Sequence, residues 1–484
     1  MLAVAGSAGA ISSDYNLPDL GDPADTAMSP AEKNKLGAQV VYQLREQGAI
    51  VNDPQLEAYI NRIGKRLVAH TNKPKGSIHY YVIKQDEINS FALPGGNIGI
   101  FTGMMVQTDS ESELASVMAH ETAHEVQNHI ARQLAESKGD TIATLATAIV
   151  AAIAGAQAGG GGDAAMAAIM GGMSHLGMQS ISYTRANEYE ADRVGIRILA
   201  ASDYDPNAMS RFFAKLQRQS DLYGKAPPEI LLTHPMAGTR MANAEERAAQ
   251  YPNVPVHESA EYPYMRERAR VLQANSIPVL LRYYRKRLSN GDKSPADYYG
   301  YALVLDQQGR LQDAIDILAP RAKAHPELLA WTLALASTET RAGNYHKAST
   351  LLEGAMKRFP DRDAAKLAYA ENLTDQGRPG EMRNFMLSQP ELLADYPQAQ
   401  QLLARAAGDQ HDLGEAYYRQ ARYYAMINDY PSAINQLRTA LQTADLSPYN
   451  KSRLGALRDQ MVSACHQAWS VAQCRQAVVE QNRY

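Results

Sequence analysis

The chain has 484 residues, more than one compact core usually holds, which predicts two or three domains. Hydrophobic residues make up 45% of the chain, enough for ordinary globular packing, and this disfavours a disordered protein. The 48 Lys and Arg residues are balanced by 52 Asp and Glu residues, and the formal net charge of -4 gives no basic field for a phosphate backbone. We therefore expect no nucleic-acid partner.

The N-terminal segment is apolar, and Ala8-Gly9-Ala10 has the A-x-A form of a signal-peptidase site. We interpret residues 1–10 as the remnant of a signal peptide, which favours export. No basic residue precedes the apolar stretch, so a flexible Ala/Gly tail is the alternative. Residues 11–30 carry Pro, Gly, Asp and Ser and are expected to form an extended linker.

Structured elements are expected to begin near residue 31. Apolar residues at steps of three and four up to residue 69 predict two amphipathic helices, broken just before Pro54. Strand-like runs follow at 78–83 and 98–101, and the segment 89–96 between them carries a Pro-Gly-Gly turn. A small sheet is therefore predicted ahead of the next helix.

That next helix begins at a capping-box pair, Ser110 and Glu113, and is expected to run to about Glu136. The stretch 141–184 then carries one charged residue and predicts two apolar helices joined by a Gly-rich turn. Thr141–Ala158 is shorter than a bilayer requires and mostly Ala. We therefore favour core or interfacial helices, with peripheral membrane contact, over transmembrane helices.

Two imidazoles and a carboxylate in the segment HETAH carry the candidate chemistry. His120 and His124 lie one helical turn apart on one face, close enough to share one Zn²⁺, with Glu121 beside the open coordination position. On the next polar helix, Glu188 would complete a His₂Glu site, and Asp192 would accept the free N–H of a ligand histidine. The alternative is a helix with two surface histidines.

Further along the chain, the Thr233-His234-Pro235 element and Arg240 are candidates for the same site. His234 would either assist the oxyanion or fill the water position as a removable fourth ligand; the alternative is a surface histidine near a helix start. Arg240 would contact an oxyanion or a carboxylate, with a surface salt bridge as the alternative. We interpret the other histidines considered as structural: His70, His79, His129 and His175.

The C-terminal part of the chain has an internal repeat. Gly309, Gly343 and Gly377 recur at an even spacing, followed in the first two repeats by Ala and Pro at matching offsets, which is typical of the 34-residue tetratricopeptide repeat. In this interpretation the Gly permits close helix packing and the Pro ends the second helix. An irregular insertion is expected near 380–412. Two cysteines close to the C-terminus have a spacing that suits a disulfide, although their pairing stays open: Cys465 and Cys474.

Three segments resemble the zinc metallopeptidases typified by HtpX and the CAAX prenyl proteases. They are NSFALPGG at 89–96, VMAHETAH at 117–124 and EYEAD at 188–192, and the likeness covers roughly 35–250. The resemblance favours a functional His234. It also implies that an edge strand over the active-site helix binds an extended substrate by strand addition, through Phe91, Ala92, Leu93, Pro94, Gly95 and Gly96.

The predicted fold is mainly α. It comprises an HExxH zincin-type α+β metallopeptidase domain with a small sheet at 31–255, followed by an all-α tetratricopeptide-repeat solenoid at 256–484. One Zn²⁺ per chain is the expected cofactor, and Glu121 is the expected general base.

Together with the repeats and the export signal, the resemblance implies a periplasmic endopeptidase that degrades stalled or misfolded outer-membrane proteins and assists β-barrel assembly. Its implied partners are the β-barrel assembly machinery and unfolded outer-membrane proteins. A second hypothesis is a chaperone or adaptor whose proteolysis is rare or suppressed by His234. A third is a membrane-embedded prenyl protease, which requires insertion of residues 141–180.

Overall fold

The computed structural model describes most of the chain, in these ranges: 28–136, 184–223, 230–234, 238–252, 256, 258–290, 294–443, 445–469 and 474. The predicted signal peptide, nearly all of the predicted linker and the apolar stretch 141–180 lie outside the described residues. Within the described residues, no helix combines the length and apolar character needed to cross a bilayer.

The N-terminal half is built from helices around a small sheet. Its helices are α1 to α9, in chain order: Pro30–Glu46, Pro54–Val68, Thr102–Gln107, Glu111–Val126, His129–Glu136, Arg185–Ala201, Ala208–Tyr223, Ile230–Thr233 and Gly238–Ala248. The predicted break between the first two helices is confirmed. Asp53 caps α2, since its Oδ1 accepts the N–H of Leu56 at 3.0 Å.

In the part of the chain that the structure describes, the sheet has three strands, β1 (His79–Ile83), β2 (Ser90–Leu93) and β3 (Asn97–Phe101). Their order is β1-β3-β2, with β3 parallel to β1 and antiparallel to β2, so β2 is an edge strand of the sheet that the described residues form.

The expected edge strand at Phe91–Gly96 is only partly right, because strand geometry ends at Leu93. Gly95 and Gly96 have φ values of +85° and +78°, which a strand does not accommodate, and they form the turn into β3. A Cβ on Gly96 would lie 1.9 Å from the carbonyl oxygen of Ser77, so the turn also requires the missing side chain.

Helix α4, which carries HETAH, is shorter than predicted. It ends at Val126, and Asn128 adopts a left-handed conformation with φ 53° before α5 begins at His129. At its start, the Ser110 side chain accepts the Glu113 N–H at 3.1 Å. The Glu113 carboxylate accepts the N–H of Asp109 instead of that of Ser110, so half of the predicted capping box forms.

The C-terminal half is entirely helical in its described residues. Helices α10 to α22 are Tyr262–Gln273, Ile277–Ser289, Pro295–Gln307, Leu311–Ala324, Leu329–Arg341, Tyr345–Arg358, Asp363–Asp375, Pro379–Leu387, Pro390–Asp395, Pro397–Asp409, Leu413–Met426, Tyr430–Thr443 and Pro448–Ala468. One buried cluster runs from Met28 through Ile60 to Trp331 and Leu335, so the two halves share a core.

The repeat prediction is confirmed, but the stated role of its glycines is wrong. Gly309, Gly343 and Gly377 have φ values of +75°, +77° and +71°, and a Cβ on any of them would meet no atom within 4 Å. These glycines allow the left-handed turn between the two helices of a repeat, and they are not needed for close packing of the helices. His411, with φ 59°, adopts the same left-handed turn 34 residues after Gly377. The 34-residue spacing therefore continues through the segment where an insertion was expected. The irregular element of that segment is the short helix α18.

The two cysteines are joined. Cys465, near the end of α22, forms a disulfide with Cys474. Both are buried, and the bond ties the chain after α22 back to the last helix.

Candidate metal centre

Two helices bring the predicted ligands together. His120 and His124 lie on α4, and Glu188 lies in the first turn of α6, all three buried. The helices pack closely because α6 carries Gly195 at the crossing. A Cβ there would lie 3.2 Å from the backbone of His120, so a larger residue would push Glu188 away from the histidines.

Four donor atoms converge on one point. His120 Nε2 lies 3.0 Å from His124 Nε2 and 3.3 Å from His234 Nδ1. Glu188 Oε1 lies 3.4 Å from His124 Nε2 and 3.0 Å from His234 Nδ1. The donor atoms of these four residues are all within 4.8 Å of one another. His234 follows α8 directly, and its N–H donates to Ile230 O at 2.7 Å.

This arrangement fits a metal ion. A tetrahedral Zn²⁺ about 2.0–2.1 Å from each donor separates the donors by roughly 3.3 Å, close to the spacings above. Three imidazole nitrogens and a carboxylate oxygen that face one another offer several lone pairs, which a bound cation would satisfy. The donor set, two or three histidines with one glutamate, is one that zinc accepts.

His120 and His124 each have a polar contact on the other ring nitrogen. His120 Nδ1 lies 3.0 Å from Asp192 Oδ1, the position predicted for Asp192. His124 Nδ1 lies 2.8 Å from Nδ1 of His129, whose Nε2 lies 3.2 Å from Glu190 Oε2.

Sequence reasoning missed His129 because it treated this histidine as merely structural. The signal available was its position five residues after His124, just beyond the end of the ligand helix. That spacing brings His129 to His124 only because the left-handed Asn128 turns the chain back toward α4.

Arg240 is paired with the carboxylates of Asp192 and Glu188. Its Nε and Nη2 donate to Asp192 at 2.8 and 2.7 Å, and its Nη1 pairs with Glu188 Oε2. The side chain is only 2% exposed, and its guanidinium also stacks on Phe213. Of the alternatives predicted for Arg240, the structure contains the carboxylate contact. The surface salt bridge is wrong, because the pair is buried.

Comparisons with known proteins agree with this geometry. Residues 54–248 match the model of Peptidase family M48, and residues 339–406 match a tetratricopeptide repeat model. The chain is 33% identical over 448 residues to the β-barrel assembly-enhancing protease of Escherichia coli (strain K12), covering 92% of this chain and 91% of that protein. The chain belongs to peptidase family M48.

Two other relatives show how far the likeness extends. The β-barrel assembly-enhancing protease of Yersinia pestis is 31% identical over 449 residues, covering 92% of this chain and 91% of the relative. The mitochondrial metalloendopeptidase OMA1 of Schizosaccharomyces pombe is 29% identical over 191 residues, covering 39% of this chain and 52% of the relative. The predicted family is confirmed, and the chain is a metallopeptidase.

The carboxylates of this M48 peptidase determine the electrostatics of the site. Burial opposes a charge on His120, but Asp192 and Glu188 outweigh it and raise its pKa to about 10. Burial and the neighbouring His120 hold the pKa of His124 well below its usual range. Burial raises the pKa of Glu188, yet His234 and the other histidines hold it well below the usual range. The negative carboxylates that raise the pKa of His120 also favour a metal cation at this point.

Glu121 faces the same point from the next position on α4. Its Oε1 accepts the hydroxyl of Ser90 at 2.7 Å and lies 3.5 Å from His234 Nε2. Its Oε2 is buried without a hydrogen-bond partner among the described residues. Ser90, the first residue of β2, is the second contact that sequence reasoning missed, although it lies within the NSFALPGG segment.

The predicted substrate strand lies along the catalytic helix. β2 begins at Ser90 beside Glu121, and after it the Gly96 N–H donates to Glu125 Oε1 at 2.9 Å. Phe91 packs over Gly99 of β3 and contacts Phe101 edge-to-face. The strand and its turn are therefore anchored to α4 at both ends.

Proposed function

We propose that this M48 peptidase is a periplasmic zinc endopeptidase that degrades misfolded or stalled outer-membrane proteins and assists their β-barrel assembly. The single observation that supports it most is the convergence of His120, His124 and Glu188 on one point, with the carboxylate of Glu121 beside it.

Zinc would be held by His120, His124 and Glu188. When bound, it acts as a Lewis acid that polarises a carbonyl and makes water more acidic. The buried Glu121 carboxylate is oriented by Ser90 and keeps Oε2 available to take the proton from water and to pass it to the leaving amine.

The substrate would be an extended segment that adds to the edge of the sheet at β2. An added strand gains main-chain hydrogen bonds and is placed along α4 beside Glu121. The segment Phe91–Gly96 would supply this edge, with strand pairing at Phe91–Leu93 and the turn Pro94–Gly96 fixing its end.

His234 would be a removable fourth ligand. This is supported by the 3.0 Å distance from its Nδ1 to the Glu188 carboxylate, a spacing that two donors to one metal would have, so the imidazole would fill the position that a catalytic site keeps open. A site with four protein ligands is closed, as in structural zinc sites. Release of His234 would open it to water and substrate.

The repeat half would dock to the β-barrel assembly machinery. Support comes from the tetratricopeptide fold, which offers extended binding surfaces, and from the names of relatives that cover nine-tenths of this chain. The proposed export to the periplasm is supported by the N-terminal A-x-A pattern.

The test is degradation of an unfolded outer-membrane protein by purified wild type, Glu121→Gln and His234→Ala, with zinc content determined in parallel. We expect a slow wild type, a faster His234→Ala and an inactive Glu121→Gln that retains about one zinc. Cleavage by Glu121→Gln at the wild-type rate would refute the assigned base.

A second candidate is a chaperone or adaptor that rarely cleaves. The observation that favours it is His234, which lies within the donor cluster and would keep the centre closed. Glu121→Gln separates the two functions. If this variant prevents aggregation of an unfolded outer-membrane protein as well as wild type does, the chaperone role stands without peptidase activity.

A further inference from the structure

A small pocket lies directly beside the metal centre. His120, Glu121 and His234 form one part of its wall. Six apolar side chains from α7 and α8 form most of the rest: Met209, Phe212, Phe213, Leu216, Ile230 and Leu231. No predicted site residue accounts for this apolar wall.

We infer that this pocket receives the side chain of a substrate residue adjoining the cleaved bond and selects small, uncharged, apolar side chains. The inference rests on the proposed peptidase function. A peptide bond attacked beside Glu121 has its carbonyl at the donor cluster. The side chains that can enter a cavity walled by His120 and Glu121 are then those of the residues flanking that bond.

With His234 in the wall, the size of the pocket sets an upper limit on that side chain. Its free volume is about 20 Å³. On the same measure a single water needs roughly 10–15 Å³, so the pocket admits a methyl group as it stands and a branched group of valine size only if the wall moves. Met209 is flexible enough to widen it slightly, whereas Phe212 and Leu216 are packed in the core.

The wall also discriminates against charge. Its six apolar side chains offer no strong hydrogen-bonding group. Arg240 borders the pocket, but its guanidinium is already held by Asp192 and Glu188. A charged substrate side chain that contacts this apolar part of the wall, and not Glu121, would lose its hydration without replacement, which is costly in an apolar site.

The test measures binding of a series of peptide hydroxamates to the zinc-loaded full-length protein. The peptides differ only in the side chain next to the hydroxamate: methyl, isopropyl, benzyl, carboxymethyl or aminobutyl. We expect the methyl and isopropyl compounds to bind at least about tenfold more tightly than the other three. Because the series is measured on wild type, the result does not depend on any variant folding.

A matched pair of variants tests whether the pocket wall causes the preference for small apolar side chains. Leu231 is half-buried in the pocket wall, and Leu272 is half-buried on α10, outside the lining of the pocket. In Leu231→Ala the affinity for the benzyl compound should come to within about threefold of the affinity for the methyl compound, because the shorter side chain enlarges the apolar pocket. Leu272→Ala should leave the series unchanged.

The outcomes separate this inference from the proposed function. Equal affinities across the series, with zinc bound, would overturn the pocket assignment and leave the metal centre intact. Unchanged preference in Leu231→Ala would overturn it as well. A protein that retains no zinc and binds no hydroxamate would refute the proposed metal centre, and the inference would fall with it.

Discussion

His129 Nδ1 lies 2.8 Å from His124 Nδ1, so a second buried histidine supports a metal ligand. If His124 offers Nε2 to the metal, its Nδ1 carries the proton and donates it to His129. Burial lowers the pKa of His129 to about 4 despite the opposing effect of Glu190, so this imidazole is neutral and one nitrogen can accept. Its Nε2–H then points to the Glu190 carboxylate.

Removal of this support should weaken metal binding. We expect His129→Ala to lower zinc affinity roughly 10- to 100-fold, the usual effect of losing a partner that orients a ligand histidine. The measurement is zinc competition against a chromophoric chelator. His325→Ala, at an exposed histidine paired with Glu327, is the control and should bind zinc as wild type does. Wild-type affinity in His129→Ala would show that the contact has no orienting role.

Arg240 should contribute strongly to folding stability. Its replacement by Leu leaves Glu188 and Asp192 buried without their counter-charge, which typically costs about 3–5 kcal/mol. Urea unfolding of the metal-free protein measures this. The control is Arg310→Leu, at an exposed pair with Asp313, which should cost less than about 1 kcal/mol. Similar values for both variants would contradict the assigned role.

The carboxyl of Glu111 should make stability depend on pH. Burial raises its pKa above the ordinary 4.5, although the Tyr59 hydroxyl and Arg62 act in the opposite direction. The folded state therefore binds the proton more tightly than the unfolded state does. The stability from this group is present below pH 4.5 and is lost as pH rises through the raised pKa.

Glu111→Gln should therefore become more stable relative to wild type as pH rises, when both are unfolded in urea across a pH series. Tyr59→Phe should show the opposite trend, because it removes a hydroxyl that stabilises the charged carboxylate. A pH-independent difference between wild type and Glu111→Gln would be inconsistent with a buried carboxyl of raised pKa.

The turns of the repeats should tolerate only residues with left-handed freedom. Gly343→Ala places a Cβ at φ +77° and should cost about 1–2 kcal/mol. Gly354 lies within α15, with no atom within 4 Å of a built Cβ, so Gly354→Ala should stabilise by roughly 0.5–1 kcal/mol. If the glycines act through the backbone, the thermal unfolding midpoint falls in Gly343→Ala and rises in Gly354→Ala.

Much of this architecture follows from local sequence signals. The helix break at Asp53 and the cap at Ser110 each depend on a few neighbouring residues. The HETAH spacing likewise places two imidazoles on one face whatever the surroundings. These features were predictable because their cause lies within a turn or two of the chain.

What could not be predicted depends on contacts between distant segments. His129 becomes a partner of His124 only because Asn128 turns the chain left-handed, and Ser90 meets Glu121 only once β2 lies along α4. Arg240 could be placed near the site but not assigned to the carboxylates, since burial decides that choice. Periodicity and spacing carry no information about such packing.

The most direct test of the central claim compares Glu188→Gln with Glu121→Gln for zinc content and casein cleavage. Glu188 is assigned as a ligand and Glu121 as the base. We predict that both variants are inactive, that Glu121→Gln retains about one zinc per chain, and that Glu188→Gln loses most of its zinc. Wild-type zinc content and cleavage in Glu188→Gln would contradict the assigned centre.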